Sequence, residues 1–146
     1  MNSETYWDKI FTDIDRAISE IDSALPSVSE IARESRDPFR ILISTLISLR
    51  TKDSVTLAAS RKLFSLADSP EGMLSLPQES IEKAIYPAGF YRTKAARIHE
   101  ISAILRSKYD SKVPNSQKEL LQLPGVGIKT ANLTLNLGFG IDAICV

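Results

Sequence analysis

The chain has 146 residues but only one cysteine, one histidine and one tryptophan, and its 18 basic side chains are matched by 18 acidic ones. Each shortage removes a class of protein. A single cysteine, Cys145, excludes an internal disulfide and any four-thiolate zinc or iron–sulfur site built from this chain. The lone histidine, His99, has no cysteine or second histidine with which to share a metal, and no serine constellation points to a triad. It reads as a surface helix residue. No uninterrupted apolar stretch approaches the ~18–20 residues of a membrane span. The opening residues Met1, Asn2, Ser3 and Glu4 lack the basic and apolar regions of a secretory leader, so the cytoplasm is the expected compartment.

A net charge of zero, taken alone, argues against a nucleic-acid partner. The charge is unevenly spread. Residues 1–80 carry 9 basic against 13 acidic side chains, whereas residues 81–146 carry 9 against 5. Arg92, Lys94, Arg97, Lys112, Lys118 and Lys129 are therefore the candidates for a phosphate-facing surface.

The length suits one domain with a real core, and 43% of the residues are hydrophobic. Trp7, Ile10, Phe11, Ile14, Ile18 and Ile21 recur at helical spacing, predicting an amphipathic helix that ends near Pro26. A second helix is expected over 27–34, capped by Ser27 or Ser29. Asp37 and Pro38 then open a strongly apolar helix, with Phe39, Ile41, Leu42, Ile43, Leu46 and Ile47, that reads as the centre of the core. Asp53 or Ser54 is the expected cap of the next helix. Pro70 and Pro77 restart short helices, Pro87 and Gly89 break the chain again, and a longer helix is expected over 93–108. Ser116 opens the helix that leads to the most informative stretch.

That stretch is Leu123, Pro124, Gly125, Val126, Gly127, Ile128, Lys129, Thr130. Two glycines permit a turn with positive φ that presents main-chain N–H groups at the start of a helix, a setting suited to phosphate. Lys129, in the first helical turn, feels the helix dipole unfavourably, which favours its neutral, nucleophilic form. Apolar residues on both sides, Leu120, Leu121 and Leu123 before and Ala131, Leu133 and Leu137 after, read as a helix-hairpin-helix. Residues 130–137 also alternate polar and apolar as a half-buried strand would. Gly138, at a helix C-cap position, and the family resemblance that follows both favour the helical reading.

With its continuation through Asn132, Asn136 and Phe139, this segment resembles the endonuclease III family of DNA glycosylases. Two further blocks stand in family order. Residues 37–53, with Arg50, Thr51, Lys52 and Asp53, resemble the family's early helix and substrate-facing turn, and residues 88–95 resemble its middle loop. The resemblance implies an all-α helix-hairpin-helix DNA glycosylase fold: an N-terminal helix over 1–26 and a helical barrel over 27–146, with the hairpin at 116–138 and the C-terminal part missing. It makes Lys129 the catalytic lysine, which attacks the sugar C1′, releases the base and forms a Schiff base. It implies base-excision repair of oxidised pyrimidines with lyase activity at abasic sites, since relatives with another residue at this position show little lyase activity. Arg50 and Phe90 match the elements that fill the hole left by an extruded nucleotide. Tyr91, Arg92, Lys94 and the hairpin residues Leu123, Pro124, Gly125, Val126, Gly127 and Thr130 join them as expected contacts to double-stranded DNA carrying a damaged base or abasic site.

The family's catalytic aspartate directly follows a valine like Val146, and Asp142 falls too early to match it. This chain alone is therefore expected to be inactive or impaired. Many relatives carry a 4Fe–4S cluster on cysteines absent here, so no cofactor, metal or membrane is expected, and the N-terminal stripe is expected to pack on the barrel or on a second copy. The alternative is a noncatalytic helix-hairpin-helix module in which Lys129 is only a phosphate contact.

Overall fold

The computed structural model describes residues 26–140; the N-terminal stripe, Asp142, Cys145 and Val146 lie outside the described residues. Within them the chain is helical, with no strand: α1 (Pro26–Glu34), α2 (Pro38–Ser48), α3 (Asp53–Leu66), α4 (Pro70–Ser75), α5 (Gln78–Ile85), α6 (Tyr91–Lys108), α7 (Gln117–Leu120), α8 (Ile128–Leu133) and a closing π-helical turn, Thr134–Gly138. No described helix is long and apolar enough to cross a membrane.

Prolines and short polar side chains set the boundaries. Pro38 and Pro70 each occupy the start of a helix, where no N–H is needed, and the preceding Asp37 and Ser69 accept from the N–H groups of Phe39 at 3.0 Å and Gly72 at 3.1 Å. Ser116 caps α7 through Glu119. The caps of α1 and α3 differ from expectation. Ser27 and Ser29 lie inside α1 and are buried, because the helix already begins at Pro26. Its first available donor, the Ser27 N–H, is taken at 2.9 Å by Asp53 Oδ1 from the start of α3, so Asp53 caps a neighbour instead of its own helix.

Helix α2 is the axis of the core. All but two of its eleven residues are buried, and α1, α3, α6, α8 and the π turn pack around it. Its three buried hydroxyls are satisfied within the helix, Ser44 and Thr45 donating to the Ile41 carbonyl and Ser48 to that of Thr45. Leu42, Ile43 and Ile47 are fully enclosed, and truncating any one of them to alanine should cost about 2–5 kcal/mol. Helices α4 and α5 lie against α6, and α3 bridges α1, α2 and α5.

The segment with strand-like alternation is helical. Residues 130–135 are all buried, so the polar positions of the pattern do not mark a solvent face. They are bonded instead: Thr134 Oγ1 donates to the Thr130 carbonyl at 2.9 Å, and Asn132 Oδ1 accepts from Gln117 at 2.7 Å. Gly138 has a different reason from the expected cap. A Cβ there would lie 3.0 Å from Pro38 Cα, so the glycine lets the π turn approach the start of α2. The left-handed residue that ends the helix is Gly140, at φ +66°.

Candidate nucleic-acid interface

The hairpin between α7 and α8 is closed by the Val126 N–H donating to the Leu123 carbonyl at 3.2 Å. Gly125 takes φ +78°, as the turn requires. Gly127 does not: its φ is −94°, and a Cβ built there meets nothing within 4 Å. The fold would accept a side chain at Gly127, yet leaves that surface bare. The N–H groups of Gly125 and Gly127 have no hydrogen-bond partner among the described residues.

Three residues expected to touch DNA point inward. Leu123, Val126 and Thr130 are buried, because the two short helices of the hairpin close over their side chains. What the hairpin exposes is Gly125, Gly127, Ile128 and Lys129, with Pro124 half-buried. Lys129, second residue of α8, has no ion pair or hydrogen bond from its side chain among the described residues. Behind the turn lies Arg97 of α6, whose Cδ would be 3.4 Å from a Cβ on Gly125. Its guanidinium pairs with Glu100 at 3.4 Å on the surface.

A second exposed feature is assembled from chain segments far apart in sequence. Arg50, after α2, and Phe90, before α6, both adopt left-handed backbone, at φ 55° and 56°. The Arg50 guanidinium carbon sits 5.7 Å from the centre of the Phe90 ring, a cation–π distance, and both side chains project into solvent. The structure thus brings together the two residues matched to hole-filling elements. Leu49, also exposed, stands beside them. Tyr91 packs partly on the core and meets Tyr86 edge-on at 5.2 Å, while Arg92 lies over Tyr91 and 3.9 Å from Glu82. Tyr86 precedes Pro87 through a cis peptide bond and is largely exposed; no motif had singled it out.

Lys94 departs furthest from expectation. It is 8% exposed, and its Nζ donates to the carbonyls of Ile47 (2.8 Å) and Leu49 and to Thr51 Oγ1 (2.8 Å). It faces the C-terminal end of α2, not a phosphate, and burial pushes its ammonium down from 10.5 to about 8. The sequence held a signal for this: Lys94 shares the inward face of α6 with Ile98, Ile101 and Leu105. His99 is likewise no plain surface residue. Half-buried, its Nε2 lies 3.1 Å and 2.7 Å from the carbonyls of Met73 and Leu76, at the end of α4.

No cluster of metal-ligating side chains occurs among the described residues, and a 4Fe–4S cluster needs four thiolates where this chain carries one cysteine. The residues present do not fit that group.

The fold that carries the bare hairpin with its unpaired lysine, and the paired arginine and phenylalanine, is shared with known proteins. Residues 43–144 match the family model described as HhH-GPD superfamily base excision DNA repair protein, and the chain belongs to that superfamily. Within it, the resemblance is to endonuclease III. The endonuclease III of Thermotoga maritima is 46% identical over 129 residues, covering 82% of this chain and 61% of that protein. A solved non-covalent endonuclease III–DNA complex superposes with a TM-score of 0.73 at 32% identity, over 91% of this chain and 60% of that one. A trapped endonuclease III–DNA covalent intermediate with an estranged adenine superposes with a TM-score of 0.69, also at 32% identity, over 84% and 60%. The chain spans about three-fifths of the length of these relatives.

Proposed function

We propose that residues 26–140 supply the DNA-reading face and the nucleophile of a base-excision DNA glycosylase with lyase activity at abasic sites. The observation that carries this reading is the hairpin surface: a glycine at position 127 that the fold does not require, with Lys129 exposed two residues later. Bare backbone is what close approach of a phosphate demands, and free N–H groups at a helix start are suited to bind it. The Arg50–Phe90 pair supports the same reading. An extruded nucleotide leaves a gap that a planar cation and an aromatic ring can fill, offsetting part of the few kcal/mol of unstacking.

The chemistry assigned to Lys129 is amine attack on the sugar C1′. With a damaged base still attached, the N-glycosidic bond breaks, the base leaves with a proton, and the lysine remains joined to the sugar as a Schiff base. Loss of a C2′ proton then expels the 3′ phosphate by β-elimination. Oxidised pyrimidines are the proposed lesions. The leaving base requires a carboxylate to stabilise positive charge on the sugar, and none is assigned among the described residues.

An abasic site isolates what this chain contributes. Its ring-opened aldehyde needs only an amine to form an imine and water, and borohydride reduces the imine to a stable secondary amine. Incubation of the 146-residue chain with abasic-site duplex and borohydride is expected to give a covalent protein–DNA adduct that Lys129→Ala abolishes. Salt-sensitive binding without an adduct would instead support a noncatalytic module, and absence of DNA binding at low salt would overturn both.

A further inference from the structure

The two exposed turns are tied together from beneath. Lys94 Nζ gathers the carbonyls of Ile47 and Leu49 and the hydroxyl of Thr51 around one ammonium, fixing the chain on both sides of Arg50. Thr51 Oγ1 also accepts the Gly89 N–H at 2.9 Å, which fixes the residue before Phe90. The two turns also touch directly. A Cβ on Gly89 would lie 2.4 Å from the Arg50 carbonyl oxygen, a distance that no side chain tolerates. Lys94 is itself the fourth residue of α6, and its N–H donates to the Phe90 carbonyl at 2.9 Å. One residue therefore holds both turns, through backbone on the Phe90 side and through side chain on the Arg50 side.

From this geometry we infer that Lys94 is a positioning residue: with Thr51 it locks the Arg50 and Phe90 turns into one rigid wedge that recognises a gap in duplex DNA. The inference deepens the DNA reading above and rests on it. Arg50 and Phe90 both hold left-handed backbone, which costs about 1–3 kcal/mol at each residue unless the surroundings enforce it. The enforcing groups are here buried hydrogen bonds to a charged donor, the strong class of such bonds. A wedge entering a base stack must resist being pushed aside. Two separately mobile turns would lose affinity to ordering; a pre-locked pair does not. Lys94 is itself buried beneath the wedge, so its contribution passes through the two residues it positions.

The test uses the full 146-residue chain with Lys94→Met, which removes the donors but keeps the stem, and Thr51→Val, which removes only the bridging hydroxyl. Hydrogen–deuterium exchange of the free proteins comes first. Amides at 49–52 and 88–91 are expected to exchange at least about tenfold faster in both variants, as the loss of a hydrogen bond to a charged group implies, with residues 123–129 unchanged. Binding is then measured to an intact duplex and to one carrying a tetrahydrofuran abasic analogue. Both variants are expected to lose about tenfold of the preference for the gapped duplex while keeping intact-duplex affinity, and to lose nothing further in a Phe90→Ala background. A merely structural role would weaken both duplexes alike and add to Phe90→Ala. Unchanged exchange, or a variant as selective as wild type, overturns the inference while leaving the proposed function standing. A wild-type chain that does not distinguish the duplexes likewise overturns the inference, and one that binds neither duplex overturns the proposed function with it. Should Lys94→Met fail to fold, Thr51→Val decides by the same readouts.

Discussion

The hairpin and the wedge, both proposed to meet DNA, are built by opposite constructions. The hairpin is local: its turn, its bare backbone and its lysine come from seven consecutive residues, 123–129, and its shape follows from one positive-φ glycine and the inward side chains of Leu123, Val126 and Thr130. The wedge is assembled from segments about forty residues apart and is held by a lysine that the charge distribution had suggested for the surface. Both lean on the first turns of α6, where Lys94 supports the wedge and Arg97 lies behind the hairpin. A surface that grips phosphate needs backbone and little else. One that enters a base stack needs stiffness, and stiffness here comes from buried polar bonds.

Substitutions can break each half separately. Gly89→Ala should have the largest effect, because the added methyl meets backbone and not a flexible side chain. It should cost about 3 kcal/mol in urea denaturation and remove selectivity for a gapped duplex, with the hairpin's phosphate affinity intact in the remaining folded protein.

Lys94→Met should cost about 1–3 kcal/mol at pH 7, since two carbonyls and a hydroxyl lose their donor. Its pH dependence has a definite sign. Below pH 8 folded and unfolded chains both carry the ammonium and the burial penalty is constant. Between about 8 and 10.5 the folded chain releases the proton while the unfolded chain retains it, so wild-type stability should rise with pH relative to Lys94→Met, by at most about 1.4 kcal/mol per unit. Denaturation midpoints of the two proteins from pH 7 to 10 check this.

Smaller still are the glycines of the hairpin. Gly125→Ala should cost about 1 kcal/mol because alanine resists φ +78°, whereas Gly127→Ala should change stability by less than about 0.5 kcal/mol, its backbone being open to any residue. Equal thermal shifts for the two would mean that the hairpin has a different geometry.

The contrast also explains what was legible in the sequence. The all-α order, the proline-led helix starts, the buried axis of α2 and the hairpin could be read because each depends on residues a few positions apart. Family resemblance singled out Arg50 and Phe90 as two separate gap-filling elements, while their cation–π contact is visible only in the fold. Asp53 as the cap of α1 and Gly138 as a close-approach site for Pro38 could not be read, since each acts across the fold; helical periodicity turns Lys94 inward, but the carbonyls and hydroxyl it ties are equally distant in sequence. The strand-like alternation over 130–137, which competed with the helical reading, has a related cause. Polar side chains at the buried positions 130, 132 and 134 follow their hydrogen-bond partners, not solvent.

The division of labour itself is tested most directly by titrating the wild-type chain, Gly127→Ala and Phe90→Ala with intact and abasic-analogue duplexes at one fixed salt concentration. Gly127→Ala is expected to weaken binding to both duplexes by the same factor without loss of stability, and Phe90→Ala to leave the intact duplex unaffected while the preference for the gap disappears. The same pattern in both variants, or full affinity in Gly127→Ala, would contradict the account.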